Sequence, residues 1–124
     1  MSYTLKIEKR GSYLYASVKG LNTPENIAGY FREIQQEMVK RDCYDIVVVE
    51  DFQGPDLDTL TAYKLVSKAA FEHPAEPSKL AFVVLNPDHK SSIKFGETVA
   101  RNRGVNIRLF KEAQAAEEWI SGKK

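Results

Sequence analysis

Two histidines, one cysteine and a short acidic run are the residues of this 124-residue chain whose types could do chemistry. His89 follows Asn86-Pro87-Asp88 at the end of one apolar run, and Glu50-Asp51-Phe52-Gln53-Gly54-Pro55-Asp56-Leu57-Asp58 follows another. In open α/β sheets ligands bind beyond the carboxyl ends of the strands, so these two segments would share an edge. A carboxylate pair with a histidine is the raw material of an acid–base site, here Asp51, Asp56 or His89. The competing reading makes Asp58 and Asp88 helix caps and leaves the rest as solvated loop. His73 lies near a helix end, where the dipole favours it without catalysis. Cys43 stands between Asp42 and Tyr44, with no adjacent cation to activate a thiolate. It reads as a small residue at a strand entrance. No CxxC, HxxxH or HExxH spacing calls for zinc. The glycines at 11, 20, 29, 54, 96, 104 and 122 stand too far apart to cradle a phosphate. The expectation is therefore no enzyme, no metal and no cofactor.

Composition and charge narrow the partners. Hydrophobic residues make up 43% and charged residues 28%, the balance of one ordinary globular domain over 1–124. A net charge of +1 calls for no nucleic acid or membrane surface. Residues 90–111 do hold six cations, Lys90, Lys94, Arg101, Arg103, Arg108 and Lys111, against the single acid Glu97. Such a segment would suit RNA or anionic lipid. Only Phe95 and Phe110 interleave with it, and both fit a core. A solvated helix face is the plainer account, and no nucleic acid is expected. A lone cysteine excludes an internal disulfide framework. The longest apolar run, Leu80 to Leu85, is too short for a bilayer. A strand pattern starting by Tyr3 leaves no space for a leader, so a cytoplasmic setting is expected.

The elements that must position these residues follow from periodicity. Tyr3, Leu5 and Ile7 alternate with polar residues, as do Leu14, Ala16 and Val18, across a turn at Lys9-Arg10-Gly11-Ser12. That is a β-hairpin. On its second strand Tyr13 and Tyr15 face away from Leu14 and Ala16, to pack under a helix or to lie exposed. Thr23-Pro24 opens a helix, with Ile27, Phe31, Ile34 and Met38 on its inner face. Tyr44 to Val49 reads as a strand covered on both faces, followed by an acidic loop from Glu50. A second helix is predicted from Asp58 to Glu72, with Leu60, Tyr63, Val66 and Ala70 inward and His73-Pro74 as its stop. Leu80 to Leu85 is another buried strand. A third helix, begun by an Asp88 cap, turns Ile93, Gly96 and Ala100 inward and ends at Gly104. Val105, Ile107 and Leu109 make a last strand, and Ala113, Ala116 and Ile120 a short final helix beside Trp119. The order ββαβαβαβα gives an α/β fold: a mixed, mostly parallel sheet opened by a hairpin, with helices packed on it.

Tyr3-Thr4-Leu5-Lys6-Ile7, Tyr44 to Phe52, Asp56 to Leu65, Leu80 to Asn86, and Val105 to Lys111 with Ala113 to Ile120 carry a resemblance across nearly the whole chain. The layout resembles the STAS fold of bacterial anti-sigma-factor antagonists and sulfate-transporter tail domains, and more closely the SpoIIAA-like bacterial proteins. The resemblance implies a non-catalytic regulatory or protein-binding module. Its partner face would comprise Asp51, Phe52, Asp56, Asp58, Thr59 and Thr61. Antagonists of that family carry a phosphorylatable serine in a stretch like Asp-Ser-Ser-Gly. Here the stretch is Asp56-Leu57-Asp58-Thr59, with Asp58 in the serine's place, and a fixed carboxylate cannot be switched. Similarity of fold to lipid-carrying CRAL-TRIO domains implies an alternative, a binder of a small apolar molecule or lipid at a membrane periphery. A cavity near Phe52, Tyr63 and Phe82 would serve it, with Tyr63, Phe82, Asn86, Asp88 and His89 as the rim.

Overall fold

The computed structural model describes residues 3–71 and 79–122. Strands β1 (Tyr3–Arg10) and β2 (Tyr13–Leu21) form the expected hairpin, in register from Tyr3 opposite Gly20 to Arg10 opposite Tyr13. Helix α1 (Pro24–Arg41), strand β3 (Asp45–Gln53), helix α2 (Thr59–Phe71), strand β4 (Lys79–Val84), helix α3 (Lys90–Asn102), strand β5 (Ile107–Phe110) and helix α4 (Ala113–Ile120) follow. The strands lie in the order β1-β2-β3-β4-β5, and every neighbour pair after the hairpin is parallel. The expected stop of α2 at Glu72, His73 and Pro74 lies outside the described residues, as does the side chain of Ala70.

The strand alternation divides the core in two. Leu14, Ala16, Val18, Ile46, Val48, Phe52 and Phe82 face one side, under α1, α2 and α3. Val47, Ala81 and Val83 face the other, under Ala116 and Ile120 of α4. Val47 lies level with Tyr15 and Ala81 across the sheet, and Val48 with Ala16 and Phe82. Both faces of β3 and β4 are thus covered, which is why their sequences lack polar alternation. Tyr13 and Tyr15 pack on the α4 side, where the Tyr13 hydroxyl donates to Glu117 at 2.6 Å.

Local signals account for the helix ends. The Thr23 hydroxyl accepts from the Asn26 amide at 3.2 Å, capping α1. Thr23→Ala is expected to lower stability by about 1 kcal/mol, read as an earlier urea midpoint. An unmoved midpoint would show that the cap contributes nothing. Gly104, at φ +86°, ends α3. Its amide reaches the Arg101 carbonyl and the Val105 amide the Ala100 carbonyl, the paired bonds of a Schellman stop.

Three expectations are corrected. First, β3 continues to Gln53, so Glu50 to Gln53 are strand rather than loop. Glu50 and Phe52 extend the face of Ile46 and Val48, and Phe52 is core rather than partner surface. Second, α2 is turned about its axis from the predicted phase. Leu60 is 62% exposed and Tyr63 40%, while Val66 packs inward as expected, joined by buried Ala62 and by Leu65. This face packs against α3. A Cβ at Gly96 would come 3.1 Å from Val66 Cγ2, a spacing that bulkier side chains forbid. Third, Asp88 caps nothing. A 3₁₀ turn, Pro87–His89, precedes α3, and Asn86 Oδ1 caps that turn by accepting from the Asp88 amide at 3.0 Å.

Candidate functional site

Helices α1, α2 and α3 do not close fully on the sheet. Between them lies a cavity of about 120 Å³. Ile27, Phe31 and Ile34 of α1, Leu65 and Val66 of α2, Ile93 and Gly96 of α3, and Val48 and Phe82 of the sheet form apolar walls. At the carboxyl edge of β2 to β4 the lining changes to Asn22, Tyr30, Glu50, His89 and Ser92. Each polar residue has a local reason for its place. Glu50 continues the inward period of β3. Tyr30 sits within the buried stripe of α1. The 3₁₀ turn after β4 swings His89 inward, to 1% exposure.

Glu50 is 1% exposed, and the Tyr30 hydroxyl donates to its carboxylate. Burial pushes the Glu50 carboxyl up to about 7, against the opposing pull of that hydrogen bond and of His89. The Tyr30 hydroxyl is held well above its usual range, by burial first and by Glu50 second. His89 Nε2 lies 2.7 Å from the Gly54 carbonyl oxygen, and the Asn22 amide stands 3.4 Å from the same nitrogen. His89 Nδ1 is buried with no hydrogen-bond partner among the described residues.

The loop between β3 and α2 is tied to this edge. Asn22 Nδ2 donates to the Pro55 carbonyl at 2.9 Å. Ser92 donates to Asp56, whose carboxylate also accepts from the Leu57 amide at 2.9 Å. Asn86 Nδ2 donates to the Phe52 carbonyl at 2.8 Å. Among the described residues, no three His, Cys, Asp or Glu side chains are grouped to hold a metal ion, and no helix is long and apolar enough to cross a membrane.

Of the residues singled out in the sequence, Phe82 and His89 line the cavity. Asn86 and Asp56 stand one layer back, holding the loop and α3. Asp51 turns to the other face of β3 and accepts from Gln53 at 3.1 Å, so it does not converge with His89. Asp58 caps α2 by accepting from the Thr61 amide at 2.8 Å. That amide hydrogen bond holds its carboxyl below the usual range. Thr59 and Asp88 are exposed. Tyr63 stands away from the cavity, its hydroxyl accepting from Arg103 at 2.9 Å. Glu50 and Tyr30 were missed as site residues. The period-two count through Ile46 and Val48 was the signal that could have found Glu50.

The basic segment is largely engaged within the chain. Lys94 lies 3.2 Å and Arg101 3.8 Å from Glu97. Arg108 stands over the Phe110 and Trp119 rings.

Fold and site together define an α/β domain with a polar-ended, partly open apolar cavity between its helices and the carboxyl edge of a mostly parallel sheet. No protein-family model matches the chain, and no curated protein matches it either.

Proposed function

We propose that this chain is a non-catalytic binding protein for a small, largely apolar molecule held beneath α1, α2 and α3. One observation carries this: an apolar cavity whose polar end holds a buried histidine with an unpartnered nitrogen. Apolar cavities of roughly 150 Å³ accept a benzene ring. A cavity of about 120 Å³ suits a similar ring or a short chain, and is too small for a two-tailed lipid. Burial of the ligand's surface would supply roughly 25 cal/mol per Å². The STAS-like, SpoIIAA-like layout supports the same function through its likeness to lipid-carrying domains.

Toluene titrated into ¹⁵N-labelled protein tests it. The expected result is saturable NMR shifts centred on Ile34, Val66 and Phe82. They should disappear in Ala62→Leu, because Ala62 lines the cavity and leucine would fill it. Wild-type spectra unmoved by millimolar toluene would dispose of the proposal.

Helix α2 favours a second function, docking of a protein partner by a regulatory module. Leu60 and Tyr63 are exposed apolar side chains on the helix that the exposed Asp58 caps. Such a patch suits a partner interface. Affinity capture with wild type and with Asp58→Ser would test it, and an empty result from both counts against it.

A further inference from the structure

We infer that the molecule held in the cavity carries a hydroxyl group and presents it to His89 Nδ1. The inference rests on the cavity being the binding site, and it names the ligand's chemistry: a small ring or short chain with one neutral hydrogen-bond donor, of the phenol type.

The first step is the orientation of His89. A carbonyl oxygen only accepts, so the nitrogen 2.7 Å from the Gly54 oxygen carries the hydrogen. In the neutral ring the lone pair then lies on Nδ1. The ring cannot readily turn about, because its partner is fixed. Gly54 sits at φ +103°, a conformation that a side chain would strain. The loop after it is pinned by Asn22 through the Pro55 carbonyl and by Ser92 through Asp56. His89 is thus a held acceptor on the cavity wall, and its lone pair meets no partner among the described residues. Buried acceptors left unmatched are uncommon because the lost hydration is not replaced.

The second step is the surroundings. Most donors at this end are engaged: Tyr30 on Glu50, Ser92 on Asp56, one Asn22 amide hydrogen on Pro55 and His89 Nε2 on Gly54. What is left unmatched at this end is one acceptor, His89 Nδ1, with the Glu50 carboxyl among the other lining groups. A carboxylate ligand would find at most one Asn22 amide hydrogen as a donor and would meet Glu50. A hydroxyl satisfies Nδ1 and brings no charge into apolar walls, where an ion would lose its hydration. The size sets an upper bound, since about 120 Å³ is somewhat less than the roughly 150 Å³ that takes a benzene ring, so the ligand is no larger than a small ring or short chain.

The experiment compares four probes of similar size, phenol, toluene, benzoate and benzylamine, by calorimetry and NMR at pH 7.5. Phenol is expected to bind at least tenfold more tightly than toluene. That ratio should fall to about one in His89→Phe, which keeps a ring and removes the acceptor. Should the variant fail to fold, the wild-type ¹⁵N resonance of His89 Nδ1 decides: it should move with phenol and stay with toluene. Equal affinities for phenol and toluene would overturn the hydroxyl assignment and leave the cavity function standing. Tighter binding of benzoate or benzylamine than of phenol would overturn it too. Failure of all four to bind would overturn the cavity function itself.

Discussion

Replacing Phe52 with alanine will lower folding stability by about 3–5 kcal/mol, the range for emptying a buried aromatic site. Replacing its neighbour Asp51 will change stability by no more than about 0.5 kcal/mol. The two positions are adjacent in a sequence stretch that reads as one acidic loop. Strand alternation separates them. Phe52 has no exposed surface and meets the Tyr30 ring edge-on, with centroids 5.5 Å apart and planes at 80°. Such a pair contributes beyond its buried area. Asp51 points to the other side, where among the described residues its carboxylate accepts from the exposed Gln53. Urea unfolding measures both. With a slope of about 1–3 kcal/mol per molar, the Phe52→Ala midpoint should fall by a molar or more. The Asp51→Ala midpoint should scarcely move. Equal midpoints would return residue 52 to solvent and end β3 at Val49, as the valine run alone suggested. The contrast also bears on a protein partner: a surface drawn through 51–58 must do without Phe52.

Most of the scaffold was legible because its signals are local. The alternation in Tyr3 to Ile7 and Leu14 to Val18, the Thr23-Pro24 start and the Gly104 stop each depend on a few neighbouring residues. The two valine-rich and apolar runs announced their two-sided burial without any partner being known. What escaped was decided by residues far away in sequence. A glutamate after Val49 looks like the end of a strand. It stays inside because Tyr30, twenty positions earlier, donates to it. Of the α2 face read through Leu60, Tyr63 and Val66, Val66 packs inward, joined by Ala62 and Leu65, while Leu60 and Tyr63 are exposed. Val66 meets Gly96, a residue of another helix, which no count along α2 reveals. Asn86 and Asp88 both suit a helix start, and the 3₁₀ turn, which no periodicity marks, chose Asn86. The candidate site shows the same division. His89 stood out by its place after a buried strand, and Phe82 by its apolar run. Glu50 and Tyr30 become a pair only when α1 lies across β3.

That pair carries the other large effect. Glu50→Gln will raise stability at pH 8 by about 3 kcal/mol and remove most of the wild-type pH dependence between pH 5 and 7. The unfolded carboxyl titrates near 4.5, and in the folded chain burial moves it up to about 7. Between those values the folded protein holds a proton that the unfolded chain has released. Stability of the wild type therefore falls as pH rises through this window and levels off above it. A shift of this size corresponds to about 3 kcal/mol. Glutamine keeps an oxygen for the Tyr30 hydroxyl and never ionises. Other shifted groups act elsewhere: Asp58, Glu37 and Glu117 are moved below the usual carboxylate range, and Tyr3, Tyr13 and Tyr30 above the usual tyrosine value. Urea titrations of both proteins at pH 5, 6, 7 and 8 provide the measurement. A wild-type stability that stays level from pH 5 to 8 would mean that Glu50 is ionised in the fold at its ordinary value. A core position with nothing to bind would be more stable with glutamine at neutral pH. Ionisable groups displaced in this way cluster at functional sites, and Glu50 lies on the wall of the cavity at its polar end. The substitution that most stabilises the chain above pH 7 should thus also remove a charged acceptor from the place where a ligand would sit.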